Sequence, residues 1–226
     1  MSLPLFRSRS RRVRAIVPAL ERKNNIYRGI TLLFIALFIF ASIEKAEANP
    51  LEQLKPTIAK KADYTYQFGN KGEKRWYVQG AIATTLDNNE AFPRRFGLVG
   101  AGLSKFFIDG HSVNLELNTI YFDQPNDNAI GLNLALLGRW HIVRQPNWSF
   151  FIGGGAGIMG TTSDVPEKGA SFNFTPQAGA GGTFALKNNR RLLVGLNWHH
   201  ISHADLFNAN PGRDSIMGYI GIDFPR

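Results

Sequence analysis

From about residue 73 to the C-terminus, apolar and polar residues alternate one by one, and no stretch there sustains the 3.6-residue apolar period of a helix. In VNLELNTIY, Val113, Leu115, Leu117, Thr119 and Tyr121 oppose Asn114, Glu116 and Asn118. In IGLNLALLGRW, Ile130, Leu132, Leu134, Leu136 and Trp140 oppose Gly131, Asn133, Ala135 and Arg139. In FNFTPQAGAGGTF, Phe172, Phe174, Ala178 and Phe184 oppose Asn173, Thr175, Gln177 and Thr183. Side chains of a strand point alternately to its two faces, so this period predicts strands with one greasy face and one face of glycine, amides and charges. The pattern places strands over 75–86, 95–108, 111–122, 129–142, 147–159, 170–186, 190–202 and 215–224.

A soluble sandwich would turn the greasy face inward. Here the small and hydrogen-bonding face suits the narrow interior of a barrel, which leaves the greasy face to lipid. Eight strands of about ten residues are what the smallest outer-membrane barrels need. The connections also alternate, with tight ones at DG (109), VRQPN (143) and KNNR (187) and longer polar ones between them. Short turns on one rim and long loops on the other are expected of a barrel whose N-terminus starts in the periplasm. Trp76, Trp140, Trp148, Trp198 and Phe224 fall at strand ends, where aromatic girdles form. The predicted fold class is all-β, an eight-stranded antiparallel transmembrane β-barrel at 73–226; a soluble exported barrel or sandwich is the alternative.

Charge and composition refine this picture. The 226 residues carry a net charge of +9. Residues 1–48 alone hold nine Lys/Arg against three acids, so the basic excess sits mainly in the leader and gives the body no polyanion-binding character. That leader has a basic region, then ITLLFIALFIFASI at 30–43, then AEANP. Fourteen apolar residues make a helix of about 21 Å, short of a roughly 30 Å bilayer core. The reading is a signal peptide at 1–48 cleaved after Ala48, with an uncleaved inner-membrane anchor as the alternative. Residues 49–72 then form a polar periplasmic N-terminal segment, with room for one short helix. The chain has no cysteine, which excludes disulfides, thiolate metal sites and cysteine nucleophiles together.

Chemistry concentrates in NWHHISHADLFNANPGRD, residues 197–214. Parity in the seventh predicted strand puts Leu192, Val194, Leu196, Trp198, His200 and Ser202 on the lipid side and Asn197 and His199 on the lumen side. Residues i and i+2 on one face lie about 6.6–7 Å apart, so an imidazole at 200 can approach a hydroxyl at 202. A serine hydroxyl needs such a base to become nucleophilic, and the base needs an orienting acid. Asp214, ahead of the last predicted strand and of outward parity, is the candidate for that role. The bland readings are a polar rim at the membrane boundary for these three, a hydrogen-bonded interior residue for His199, and a structural lumen ion pair for Glu116 with Arg139. A metal site at His199, His203 and Asp205 would rest on spacing alone.

HISHA followed by NPGRD resembles the signature of the outer-membrane lipid A 3-O-deacylases, eight-stranded barrels that remove an ester-linked acyl chain from lipopolysaccharide. The family pattern is approximately His-x-Ser-Asn-Ala-Gly, a short variable loop, Asn-x-Gly, and an acid twelve residues after the serine. The resemblance implies His200 as base, Ser202 as nucleophile and Asp214 as acid, with Ala204, Asn210 and Gly212 in the loop to which oxyanion stabilisation is assigned. The chain departs from the pattern at His203 (asparagine in the family), Asp205 (glycine) and Asp214 (glutamate). The implied function is a serine esterase acting on lipid A in the outer membrane, with no cofactor and no metal. Its partners would be lipopolysaccharide and the surrounding outer-membrane lipids, no nucleic acid, and a homodimer left open. Two other functions fit the same residues: a non-catalytic binding or structural barrel, and a phospholipase using the same three side chains.

Overall fold

Two-sided strands can satisfy every backbone N–H and C=O inside a bilayer only by closing on themselves, because an open edge in hydrocarbon costs several kcal/mol per unpaired group. The computed structural model, which describes residues 68–86, 94–125, 127–207 and 210–226, shows that closure. Its strands are β1 (Lys74–Thr85), β2 (Arg95–Ile108), β3 (His111–Asp123), β4 (Ala129–Arg144), β5 (Trp148–Val165), β6 (Ala170–Phe174), β7 (Gln177–Ala185), β8 (Arg191–Ile201) and β9 (Arg213–Pro225). Neighbours pair antiparallel around the ring, and β1 with β9 closes it. The predicted signal peptide and most of the N-terminal segment lie outside the described residues.

The single predicted strand at 170–186 is two segments, separated where Pro176 has no N–H to give to a ladder. Parity is kept through the interruption, since Asn173, Thr175 and Gln177 all point inward. Thr175 still exchanges backbone hydrogen bonds with Gly157, and the Pro176 carbonyl accepts from His200 N at 2.9 Å. The two segments therefore act as one stave, and the barrel has eight. β5 runs to Val165, beyond the predicted end at 159, because its ladder with β6 resumes at Val165 and Ala170 after a bulge. The last strand begins at Arg213, so Asp214 lies inside it rather than ahead of it.

Outward residues are those of the greasy face, with Ile82 78%, Val99 67% and Leu196 60% exposed. Side chains this apolar and this exposed form a lipid-facing belt. Trp76 stacks on Phe224, with centroids 4.3 Å apart, at the rim of the short turns, where Trp140 and Trp148 also face out. Trp198 stands at the opposite rim.

The interior is filled. At mid-height Glu116 pairs with Arg139 at 3.0 Å, as the ion-pair reading expects, and Glu116 also accepts from Tyr77 and Gln79. The space left among these groups is about 20 Å³, room for about one water. The alternation assigned polar residues to the lumen, but its two ends are apolar. Phe96, Ile120, Phe122 and Ile201 are buried toward the long-loop rim, and Phe106 and Phe151 toward the other. Phe68, just ahead of β1, closes the second mouth: it packs edge-on against Phe106 and His141 and lies under the guanidinium groups of Arg75 and Arg191.

Candidate active site

β8 and β9 pair in a register that sets His200 directly opposite Asp214. Both side chains point away from the lumen, because inward positions on these strands are held by His199, Ile201, Arg213 and Ser215. The Asp214 Oδ1 atom accepts a hydrogen bond from His200 Nδ1 at 2.8 Å. A carboxylate has only acceptors to offer, so Nδ1 carries a proton, and in the neutral imidazole the lone pair is then on Nε2. The same Oδ1 accepts a second hydrogen bond, from Trp198 Nε1, also at 2.8 Å. The Trp198 and His200 rings stack at 5.7 Å with 22° between their planes.

Ser202 follows β8 and is held by a two-way backbone bridge to Phe174, at 2.8 and 3.2 Å. It shares the outward parity of His200. Among the described residues its Oγ makes no hydrogen bond with the imidazole.

The loop beyond Ser202 begins with a tight turn at His203–Leu206, where Leu206 N donates to His203 O at 3.0 Å. Its two central residues, Ala204 and Asp205, have φ of 51° and 57°. Asp205 thus adopts the left-handed conformation that the family's glycine would take at no steric cost, and aspartate tolerates it better than most residues. Asn210 Oδ1 accepts from His203 N at 3.2 Å and ties the far side of the loop to the turn. Gly212, at φ 58°, lies against the imidazole, where an added Cβ would stand 3.5 Å from His200 Cε1 and 3.9 Å from Nε2. The six residues singled out in the sequence are therefore brought to one corner of the outer wall.

An open cleft of about 510 Å³ adjoins this corner, lined by Thr85, Leu86, Arg94, Trp198, His200 and Gly212 among others. The first three come from the β1–β2 rim and were not singled out in the sequence. Below it, outward Gly80, Gly97 and Gly218 leave two apolar grooves in the belt, of about 790 and 720 Å³, walled by Ile82, Leu196, Ile216 and Ile220. His199 is inside the lumen, as parity required, but among the described residues its Nδ1 has no hydrogen-bond partner, which departs from the expected satisfied residue. Among the described residues no group of three His, Asp or Glu side chains converges as metal ligands would.

The family model for lipid A 3-O-deacylase (PagL) matches residues 60–223, well over half of the chain. The chain belongs to the lipid A 3-O-deacylase family. Among solved structures, it is similar to the outer membrane enzyme PagL, with TM-score 0.49 and 18% identity over 66% of this chain and 99% of that one. It is also similar to Neisserial surface protein A, with TM-score 0.50 and 13% identity over 68% and 97% of the two chains. At that identity the likeness shows the fold alone. A comparison with curated proteins gives no match. At family level the protein is a lipid A 3-O-deacylase seated in the outer membrane, and lipid A is the substrate the family implies.

Proposed function

We propose that this lipid A 3-O-deacylase family member is a serine esterase in which Ser202 is the nucleophile, His200 the general base and acid, and Asp214 the orienting acid. The observation that carries the proposal is the His200 Nδ1 to Asp214 Oδ1 hydrogen bond of 2.8 Å on the lipid-facing wall. It leaves Nε2 as the basic nitrogen, on the side facing Gly212, with Ser202 two residues further along the same face.

Ser202 Oγ attacks the acyl carbonyl carbon while His200 Nε2 takes the hydroxyl proton. The tetrahedral intermediate collapses with cleavage of the ester C–O bond, and His200 returns the proton to the departing sugar hydroxyl. Water, deprotonated by the same imidazole, then hydrolyses the acyl-serine and frees a fatty acid. The carbonyl oxygen gathers negative charge in both steps and needs N–H donors. The amides of Ala204 and Asp205 suit this role: they lie two and three residues after the nucleophile in the turn and make no hydrogen bond among the described residues, whereas those of His203, Leu206 and Phe207 are already engaged. The scissile acyl chain would lie along the grooves beside Gly218 and Gly97, so the lipid need not leave its leaflet to be cut.

The test is mass spectrometry of lipid A from cells producing the wild-type protein or Ser202→Ala. Loss of an ester-linked acyl chain with the first and not with the second is the expected result. Equal acyl loss from both would refute the mechanism, and no loss from either would favour the non-catalytic barrel. Purified protein offered lipid A and phospholipid in separate micelles distinguishes deacylase from phospholipase.

A further inference from the structure

The acid of this site is one methylene shorter than the glutamate of the family pattern, and its side chain is 52% exposed. A carboxylate so placed has rotamer freedom that removes it from the imidazole unless something else holds it. The wall supplies a second donor. Trp198 shares the outward row of β8 with His200, and its cross-strand partner is Ile216, so it sits diagonally from Asp214. A large side chain spans that diagonal. Its Nε1–H meets the same Oδ1 that accepts from His200, at the same 2.8 Å. Two donors converging on one oxygen fix both the position and the rotation of the carboxylate. The stacked indole, 22° from parallel, also fixes the plane of the imidazole.

An indole at a membrane rim needs no explanation beyond its amphipathic character. The other three tryptophans meet that description: Trp76, Trp140 and Trp148 face lipid at the short-turn rim, and among the described residues none of their N–H groups donates to a side chain. Trp198 differs in rim, in partner and in ring contact.

We propose that Trp198 is a positioning residue that acts through Asp214, holding the short acid in register with His200. This rests on the esterase reading above, and the experiment separates the two. The first measurement needs no turnover: in the full barrel in detergent micelles, the indole N–H resonance lost in Trp198→Phe identifies Trp198 by NMR, and Asp214→Ala should move that resonance while leaving the other three in place. A resonance that stays put overturns the proposal whatever the enzyme does.

The second measurement is a double-mutant cycle on lipid A hydrolysis. Trp198→Phe keeps the ring and removes the donor, and should lower kcat about tenfold with KM little changed, the loss expected for one hydrogen bond to a charged group. In the Asp214→Ala background the same change should have no further effect, since the group it acts through is gone. Equal losses in both backgrounds would mean that Trp198 merely supports the rim, and the proposal fails. Should Ser202→Ala retain full activity, the esterase reading fails by itself, while the resonance experiment still decides whether Trp198 holds Asp214.

Discussion

Asp214 stands across the β8–β9 ladder from His200, and the 2.8 Å hydrogen bond between them joins two neighbouring staves rather than a loop and a strand. Their separation is thereby set by strand pairing, whose spacing is among the least variable distances in a protein. The shorter acid reaches the imidazole because it sits within β9.

Removing the acid should be costly, while lengthening it should not. Asp214→Ala is expected to lower kcat for lipid A hydrolysis by about 10²- to 10⁴-fold, the usual contribution of assisted proton transfer. Asp214→Glu, which restores the family's residue, should retain activity within about tenfold. Initial rates of fatty-acid release from the two purified variants check both. A fully active Asp214→Ala would remove Asp214 from the mechanism.

Acyl-chain selection should respond to Gly218. A Cβ added there would stand 3.6 Å from Leu196 Cδ2, an ordinary contact, so a larger side chain projects outward without displacing the strand. Gly218→Leu should fold normally and shift cleavage toward shorter acyl chains as it narrows the groove. Gas chromatography of the released fatty acids reads the shift, and an unchanged distribution would place the acyl chain elsewhere.

The lumen ion pair bears on stability. Glu116→Ala leaves Arg139, only 8% exposed, without its 3.0 Å carboxylate partner. Breaking a buried pair by removing one member costs about 3–5 kcal/mol. Urea unfolding in micelles should show the loss, and replacing Arg139 by Met in the same chain should recover much of it. Were the single variant as stable as the parent, the pair would have no structural weight.

The turn after the nucleophile should gain from a glycine. Ala204 holds φ 51° with no side-chain hydrogen bond to offset the strain. Left-handed backbone costs a non-glycine residue about 1–2 kcal/mol, and glycine's larger unfolded-state entropy returns only part of this. Ala204→Gly should therefore raise the barrel's unfolding midpoint slightly. A lowered midpoint would show that the methyl group packs usefully.

Much of this was legible from the alternation of residues. Period two is a direct consequence of strand geometry, so the outward sides of His200, Ser202 and Asp214 could be assigned by counting, and so could the burial of Asn114, Glu116 and Asn118. Alternation is silent where both faces are apolar. In β2, Phe96 and Leu98 face inward while Val99 and Leu103 face lipid, and no pattern distinguishes a lumen plug from a lipid belt. Phe68 was hidden for another reason: it precedes the first strand in a polar stretch, and its role depends on Arg75 of β1 and Arg191 of β8. Trp198 could be placed on the correct face, but its hydrogen bond to Asp214 depends on two rotamers and a strand register, none of which has a one-dimensional signature. The conformation of Asp205 was open from sequence because glycine and aspartate share that region of backbone space with different ease.

With the axis of the cylinder occupied from Phe68 to Phe122, the described residues leave no passage for a solute. Its dealings with other molecules take place on its flanks, in a two-dimensional fluid. On the esterase reading, an enzyme of this shape meets its substrate by sideways movement within the leaflet rather than by delivery from the water on either side.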